Sequence, residues 1–133
     1  MDESRLRGIE LFAPLSRNER QDIASRSEEV DVDEGVELVT QGDFAYEFFV
    51  ILDGSAEVLR HGRRVAELGP GDFLGEMGIV NQARRNATVV TRTPVRLVVM
   101  TGRDFRGMEL QAPDVAERIG EEVERRCAVL QEA

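Results

Sequence analysis

Gly69-Pro70-Gly71-Asp72-Phe73-Leu74-Gly75-Glu76-Met77-Gly78-Ile79-Val80, followed after a short spacer by Arg84-Arg85-Asn86-Ala87-Thr88-Val89, is the stretch that decides the fold. Gly69 to Asp72 is a turn signal. From Phe73 onward the segment is too glycine-rich for a central strand. It reads as a tight loop running into one short helical turn. The charge around it is unusual. Acidic residues outnumber basic ones 26 to 17, for a formal net charge of −9. Yet no Asp or Glu occurs from Met77 to Arg103, a window holding Arg84, Arg85, Arg92, Arg96 and Arg103. That window carries +5 and the remainder −14. Glycines beside a short helix let backbone N–H groups approach and face an anion. Arginine adds a planar fork suited to phosphate oxygens. Physically, the stretch is a candidate phosphate site.

On both sides of it the apolar period is two. Candidate strands are Glu29–Asp33, Val36–Thr40, Tyr46–Leu52, Ala56–Arg60, Arg64–Leu68, Ala87–Thr91 and Val95–Met100. Turn signals separate them: Glu34-Gly35, Gln41-Gly42-Asp43, Asp53-Gly54 and His61-Gly62. Asp53-Gly54, between two apolar runs, predicts a hairpin with a type I′ turn. Many short strands at this spacing predict a sandwich or jelly-roll barrel.

Helical patterns flank the strands. The first thirty residues read as helical, with Leu6, Ile9, Leu11 and Phe12 apolar and Pro14 as a break. Ser16-Arg17-Asn18-Glu19 is a capping box, predicting a short helix from Arg17 to Ser25 with Ile23 and Ala24 facing inward. Thr101 caps a helix carrying Phe105 and Met108, and Ala112-Pro113-Asp114 opens the last one. There Val115, Ile119, Val123 and Cys127 recur every fourth residue, with Leu130 alongside, as an amphipathic helix of about five turns. That apolar stripe can pack on the chain's own barrel or pair with a second copy, and we expect a homodimer.

These spaced elements together resemble the cyclic nucleotide-binding domain family, the type found in catabolite activator proteins and regulatory subunits of cAMP-dependent protein kinases. The Gly75-Glu76 pair, a short helix, and Arg85 followed by Asn86-Ala87-Thr88 look like that family's phosphate-binding cassette. Gln41-Gly42-Asp43, Phe48 to Ile51, Gly54 and Gly69 to Phe73 also match similar family positions. The resemblance implies a mainly β fold: a double-stranded β-helix (jelly-roll) barrel with N-terminal helices, a short cassette helix and a C-terminal amphipathic helix. It implies one domain over 1–133, with helices at 1–28, barrel at 29–101, cassette at 73–88 and helices at 102–133.

The resemblance also implies roles. Glu76 would accept a hydrogen bond from the ribose 2′-hydroxyl, and Arg85 would pair with the cyclic phosphate. The amides of Gly75, Glu76 and Ala87 would lie near that phosphate. The ligand-binding set is then Gly75, Glu76, Met77, Gly78, Arg84, Arg85, Asn86 and Ala87. A cyclic phosphate is a monoanion, so one arginine neutralises it. Three departures stand out. Arg84 replaces a common Pro, and Met77 and Gly78 replace Leu and Ala. Asn86 stands where cGMP-preferring members often carry Thr or Ser, which favours cAMP over cGMP. The base-capping residue is to be sought between Val115 and Leu130. The function expected is a ligand-sensing regulatory module, not an enzyme, that needs no cofactor and acts on an effector protein. The alternative is a domain of this fold without ligand, used for protein interaction or dimerisation.

Composition excludes several classes. All 17 basic residues are Arg, and the acidic balance makes a poor nucleic-acid surface. One His and one Cys cannot assemble the several-His or several-Cys metal sites of jelly-roll enzymes, nor a disulfide within the chain. His61, before Gly62 in a turn, is expected exposed; Cys127, on the apolar stripe, is expected buried. The start lacks a secretory signal, and the apolar runs are too short to span a bilayer. A cytoplasmic protein without membrane or nucleic-acid partners is expected. The chain ends at Ala133, so a DNA-binding domain, a kinase-inhibiting segment or a channel would have to lie on another partner or in a larger polypeptide.

Overall fold

The computed structural model describes residues 1–43, 47–74, 87–118 and 121. Eight strands are described: β1 (Glu28–Val32), β2 (Glu37–Val39), β3 (Glu47–Asp53), β4 (Ala56–Arg60), β5 (Arg63–Leu68), β6 (Phe73–Leu74), β7 (Thr88–Thr91) and β8 (Val95–Thr101). They form two antiparallel four-stranded sheets, ordered β1-β8-β3-β6 and β2-β7-β4-β5. This is the expected jelly-roll sandwich.

Strand β3 shows how the layers are built. Phe48 to Ile51 are all buried, because alternate side chains serve two cores. Phe49 and Ile51 point between the sheets, with Val58, Leu74, Ala87, Val89 and Leu97. Phe48 and Val50 join Phe73, Val98 and Met100 on the opposite face, which the helices cover. Phe48 sits at the centre of that second core, with its ring centroid 5.2 Å from Phe105 and 5.8 Å from Phe73.

The helical cover follows its sequence signals. Helix α1 (Arg17–Ser25) has the capping box complete, with Glu19 N donating to Ser16 Oγ and Ser16 N to the Glu19 carboxylate. Ile23 and Ala24 are buried as expected. Helix α2 (Gly102–Gln111) is capped by Thr101, whose hydroxyl accepts from Asp104 N, and it buries Phe105 and Met108. The last helix begins at 113, and Val115, the first residue of its apolar stripe, is fully buried in the helix-covered core. Ile119, Val123, Cys127 and Leu130 lie outside the described residues.

Three expectations are corrected. Asp53-Gly54 does not close a hairpin, because β3 pairs with β8 and β6 whereas β4 pairs with β5 and β7. It is a corner that carries the chain from one sheet to the other. The type I′ hairpin turn is His61-Gly62, between β4 and β5, with φ of 53° and 77°. Second, Phe73 and Leu74 are not loop: they form β6, opposite Val50 and Phe49. Third, the segment before Pro14 is not helical throughout: a 3₁₀ helix (Glu3–Leu6) is followed by turns. Its amides bond three residues back (Ile9 to Leu6, Phe12 to Ile9, Leu15 to Phe12). A period of three buries Leu6, Ile9, Phe12 and Leu15 on one side.

Candidate nucleotide site

The turn Gly69 to Asp72 forms as read. Gly69 N donates to the Asp72 carboxylate at 2.8 Å, and Asp72 N to Gly69 O at 3.0 Å. Gly71 N donates to Ile51 O of β3 and Ile51 N donates to Asp72 O, which fixes where β6 starts. Leu74 is then held in the first sheet and Thr88 in the second, and Leu74 and Ala87, the residue before Thr88, are both buried in the same inter-sheet core. In the sequence, 75–86 is the stretch between these two anchored ends. Ala87, at 7% exposure, is the one member of the expected ligand-binding set within the described residues. Gly75, Glu76, Met77, Gly78, Arg84, Arg85 and Asn86 lie outside them.

The wall beside Ala87 is apolar and half-open. Leu38, Val39, Val65, Ala66 and Leu68 are only partly buried where they pack against the inter-sheet core. One polar cluster borders it. Gln41 N donates to Thr88 Oγ1 at 2.9 Å, and the Gln41 side-chain oxygen accepts from His61 N at 3.0 Å. His61 is exposed, as expected of its turn. The sequence marked His61 as a turn residue and Gln41 as a turn residue at a family-like position; nothing local pairs positions 20 apart.

Arg92, Arg96 and Arg103, the described arginines of the acid-free window, do not converge. Arg92 meets the buried carboxylate of Glu57 on the second sheet, with Arg64 3.8 Å from the same group. Arg96 pairs with Asp31 across β8 and β1 at 2.9 Å, and this contact raises its pKa. Arg103 is exposed on α2. Of the five, Arg84 and Arg85 alone fall within the stretch 75–86. Nothing in the sequence singled out Glu57 beyond its place in the strand Ala56–Arg60.

A cleft of about 860 Å³ opens elsewhere, between the N-terminal turns, the Pro70–Asp72 turn and the last helix. Its charges are mixed, Arg5, Arg96 and Arg118 against Glu10, Asp53, Asp72 and Glu121, so it selects no anion. Among the described residues no helix is long and apolar enough to cross a membrane.

Two antiparallel sheets in jelly-roll order, with helices on one face, define the class of fold. The chain belongs to the cyclic nucleotide-binding domain family, whose profile matches residues 29–111. It is 32% identical over 114 residues to a cAMP-dependent protein kinase regulatory subunit of Schizosaccharomyces pombe, covering 85% of this chain and 28% of that protein. The Thermus thermophilus catabolite activator protein superimposes with a TM-score of 0.81 at 25% identity, over 89% of this chain and 58% of that one. The regulatory subunit of a cAMP-independent protein kinase A from Trypanosoma brucei gives 0.77 at 25% identity, over 89% and 45%. The chain thus spans less than two-thirds of each of these relatives.

Proposed function

We propose that this chain is a cyclic nucleotide sensor module, with cAMP as ligand, that relays occupancy through its C-terminal helix. The observation that carries this is the placement of the cassette's two ends. Leu74 of β6 and Ala87, the residue before β7 of the other sheet, are buried in one apolar core, and the stretch bearing Gly75-Glu76 and Arg85 joins them in the sequence. Arg85 supplies the fork for the cyclic phosphate, and Glu76 the acceptor for the ribose hydroxyl. Asn86 favours cAMP over cGMP. The half-buried Val39, Val65 and Ala66 offer a surface on which a purine can lie.

The relay is supported by Val115. It joins the start of the last helix to Phe48, Phe105 and Met108 in the helix-covered core, whose sheet also carries β6 at the cassette entrance. Output requires only that the nucleotide bind one position of that helix better than another. The apolar stripe beyond Val115 is the surface for a homodimer or an effector protein.

Titration calorimetry with cAMP and with cGMP tests this directly. We expect heat with cAMP and weaker binding of cGMP; no heat and no thermal shift with either would sink the proposal. The second reading, a domain that has lost its ligand, draws on the relative described as cAMP-independent and on the departures at Arg84 and Gly78. The same titration separates the two.

A further inference from the structure

Gln41 stands where three separate parts of the chain meet. Its amide donates to Thr88 Oγ1 at 2.9 Å, its side-chain oxygen accepts from His61 N at 3.0 Å, and its Nε2 lies 3.4 Å from His61 Nδ1. The exit of β2, the β4–β5 turn and the first residue of β7 are thereby tied together. Thr88 follows Arg85 by three residues. In register it faces Leu59 of β4, the strand that leads into the His61 turn. At the other end of β7, Thr91 makes a matching bond, accepting from Val36 N at 2.9 Å. There, however, the threonine is 1% exposed and braced by Gly35 N and Asp33 O as well. The Gln41–His61 bonds are solvent-exposed. Exposed bonds add little to global stability, so what they supply is position.

We infer that Gln41 and Thr88 are positioning residues for the nucleotide site. They fix the described end of the cassette, where Ala87 leads into Thr88 of β7, so that this part of the site is in place before the nucleotide arrives. Ordering already done before binding lowers the cost of association and slows release. The inference rests on the reading above that 75–87 binds a cyclic nucleotide.

The test uses calorimetric titration of the whole chain with cAMP, beside thermal unfolding without nucleotide. Thr88→Val keeps the shape and removes the hydroxyl, and Gln41→Ala removes the side-chain link to His61. Each is expected to raise Kd about tenfold, whereas Thr88→Ser, which keeps the hydroxyl, restores most of the affinity. Thr93→Val is the matched control. Thr93 Oγ1 accepts from Ser55 N at 3.0 Å, at the opposite end of the barrel. It should lower the unfolding temperature much as Thr88→Val does, yet leave Kd within about twofold. Thr88→Val and Gln41→Ala no weaker than Thr93→Val would overturn the inference. If Thr88→Val does not fold, Gln41→Ala decides alone, since the bonds it removes are exposed. A native chain that binds neither cAMP nor cGMP fails differently, and takes down the functional reading and this inference together.

Discussion

Gly54 passes so close to the turn between β7 and β8 that a Cβ on it would stand 2.4 Å from the Pro94 carbonyl oxygen. Thr93 Oγ1 would be 2.9 Å away, and the φ of +91° is itself unfavourable for any side chain. This contact closes the end of the barrel remote from Gln41 and Thr88. Ser55 N donates to Thr93 Oγ1 and Arg92 N to Ser55 O, so the corner between sheets is stitched to the β7–β8 turn. Gly54→Ala should cost about 2–4 kcal/mol in chemical denaturation, from backbone strain plus displacement of Pro94. A cost below about 0.5 kcal/mol would show that the corner yields freely.

Glu57 is a carboxylate at 6% exposure whose charge is met by Arg92 and, at 3.8 Å, by Arg64. Both arginines are more than half exposed, so solvent screens part of the attraction. Removing Arg92 leaves the buried charge with only the more distant partner. Arg92→Ala should destabilise by about 1–3 kcal/mol. Glu57→Gln added to it should recover part of that loss, because the uncompensated charge is gone. Simple additivity of the two costs would mean the residues do not act as a pair.

How much of this was legible beforehand follows from which signals are local. The Ser16–Glu19 box and the Thr101 cap are complete within four residues, and both helices begin where those residues put them. The strands were legible from their period, and nearly all formed within a residue or two of the expected bounds. Asp53-Gly54 misled because a turn signal records a change of direction, not which strands pair across it. Phe73-Leu74 misled because its bonds go to Phe49 and Val50, more than twenty residues back. The N-terminal apolar residues fit a period of three as well as one of 3.6, and Gly8 offers no preference for the α-helix. The site residues were read from a resemblance, and of them Ala87 alone lies within the described residues. The contacts of Gln41, His61 and Glu57 were not legible, since their partners lie far along the chain or on a neighbouring strand.

Glu3 gives the fold an acid-sensitive joint. Hydrogen bonds first from Arg7 and then from Arg20 hold its carboxyl well down, to about 2 from 4.5. Arg20 also donates to the carbonyls of Ala13 and Leu15, so the same guanidinium ties α1 to the turns before it. A depressed carboxyl pKa stabilises the folded state above the unfolded value, and the contribution disappears as pH falls toward the folded value. The native chain should therefore lose this contribution between about pH 4.5 and pH 2. Glu3→Gln should be less stable at neutral pH, and its deficit against the native chain should shrink steadily across that window. Urea denaturation at several pH values measures it; a deficit independent of pH would assign the loss to packing instead.

Arg85 should be separable into charge and shape. At a cAMP concentration one hundred times Kd, binding to the folded chain alone adds about 2.7 kcal/mol of stability. Losing a charged contact to the phosphate costs roughly 2–5 kcal/mol, which weakens binding at least about thirtyfold. At the same cAMP concentration, Arg85→Ala should then gain less than about 1 kcal/mol. Its unfolding without nucleotide should match the native chain. Arg85→Lys keeps the charge but loses the planar fork, so its gain should fall between the two. Equal gains for Lys and Ala would mean that the fork, not the charge, carries recognition. A full gain for Arg85→Ala would move the phosphate contact to another residue, with Arg84 the next to substitute.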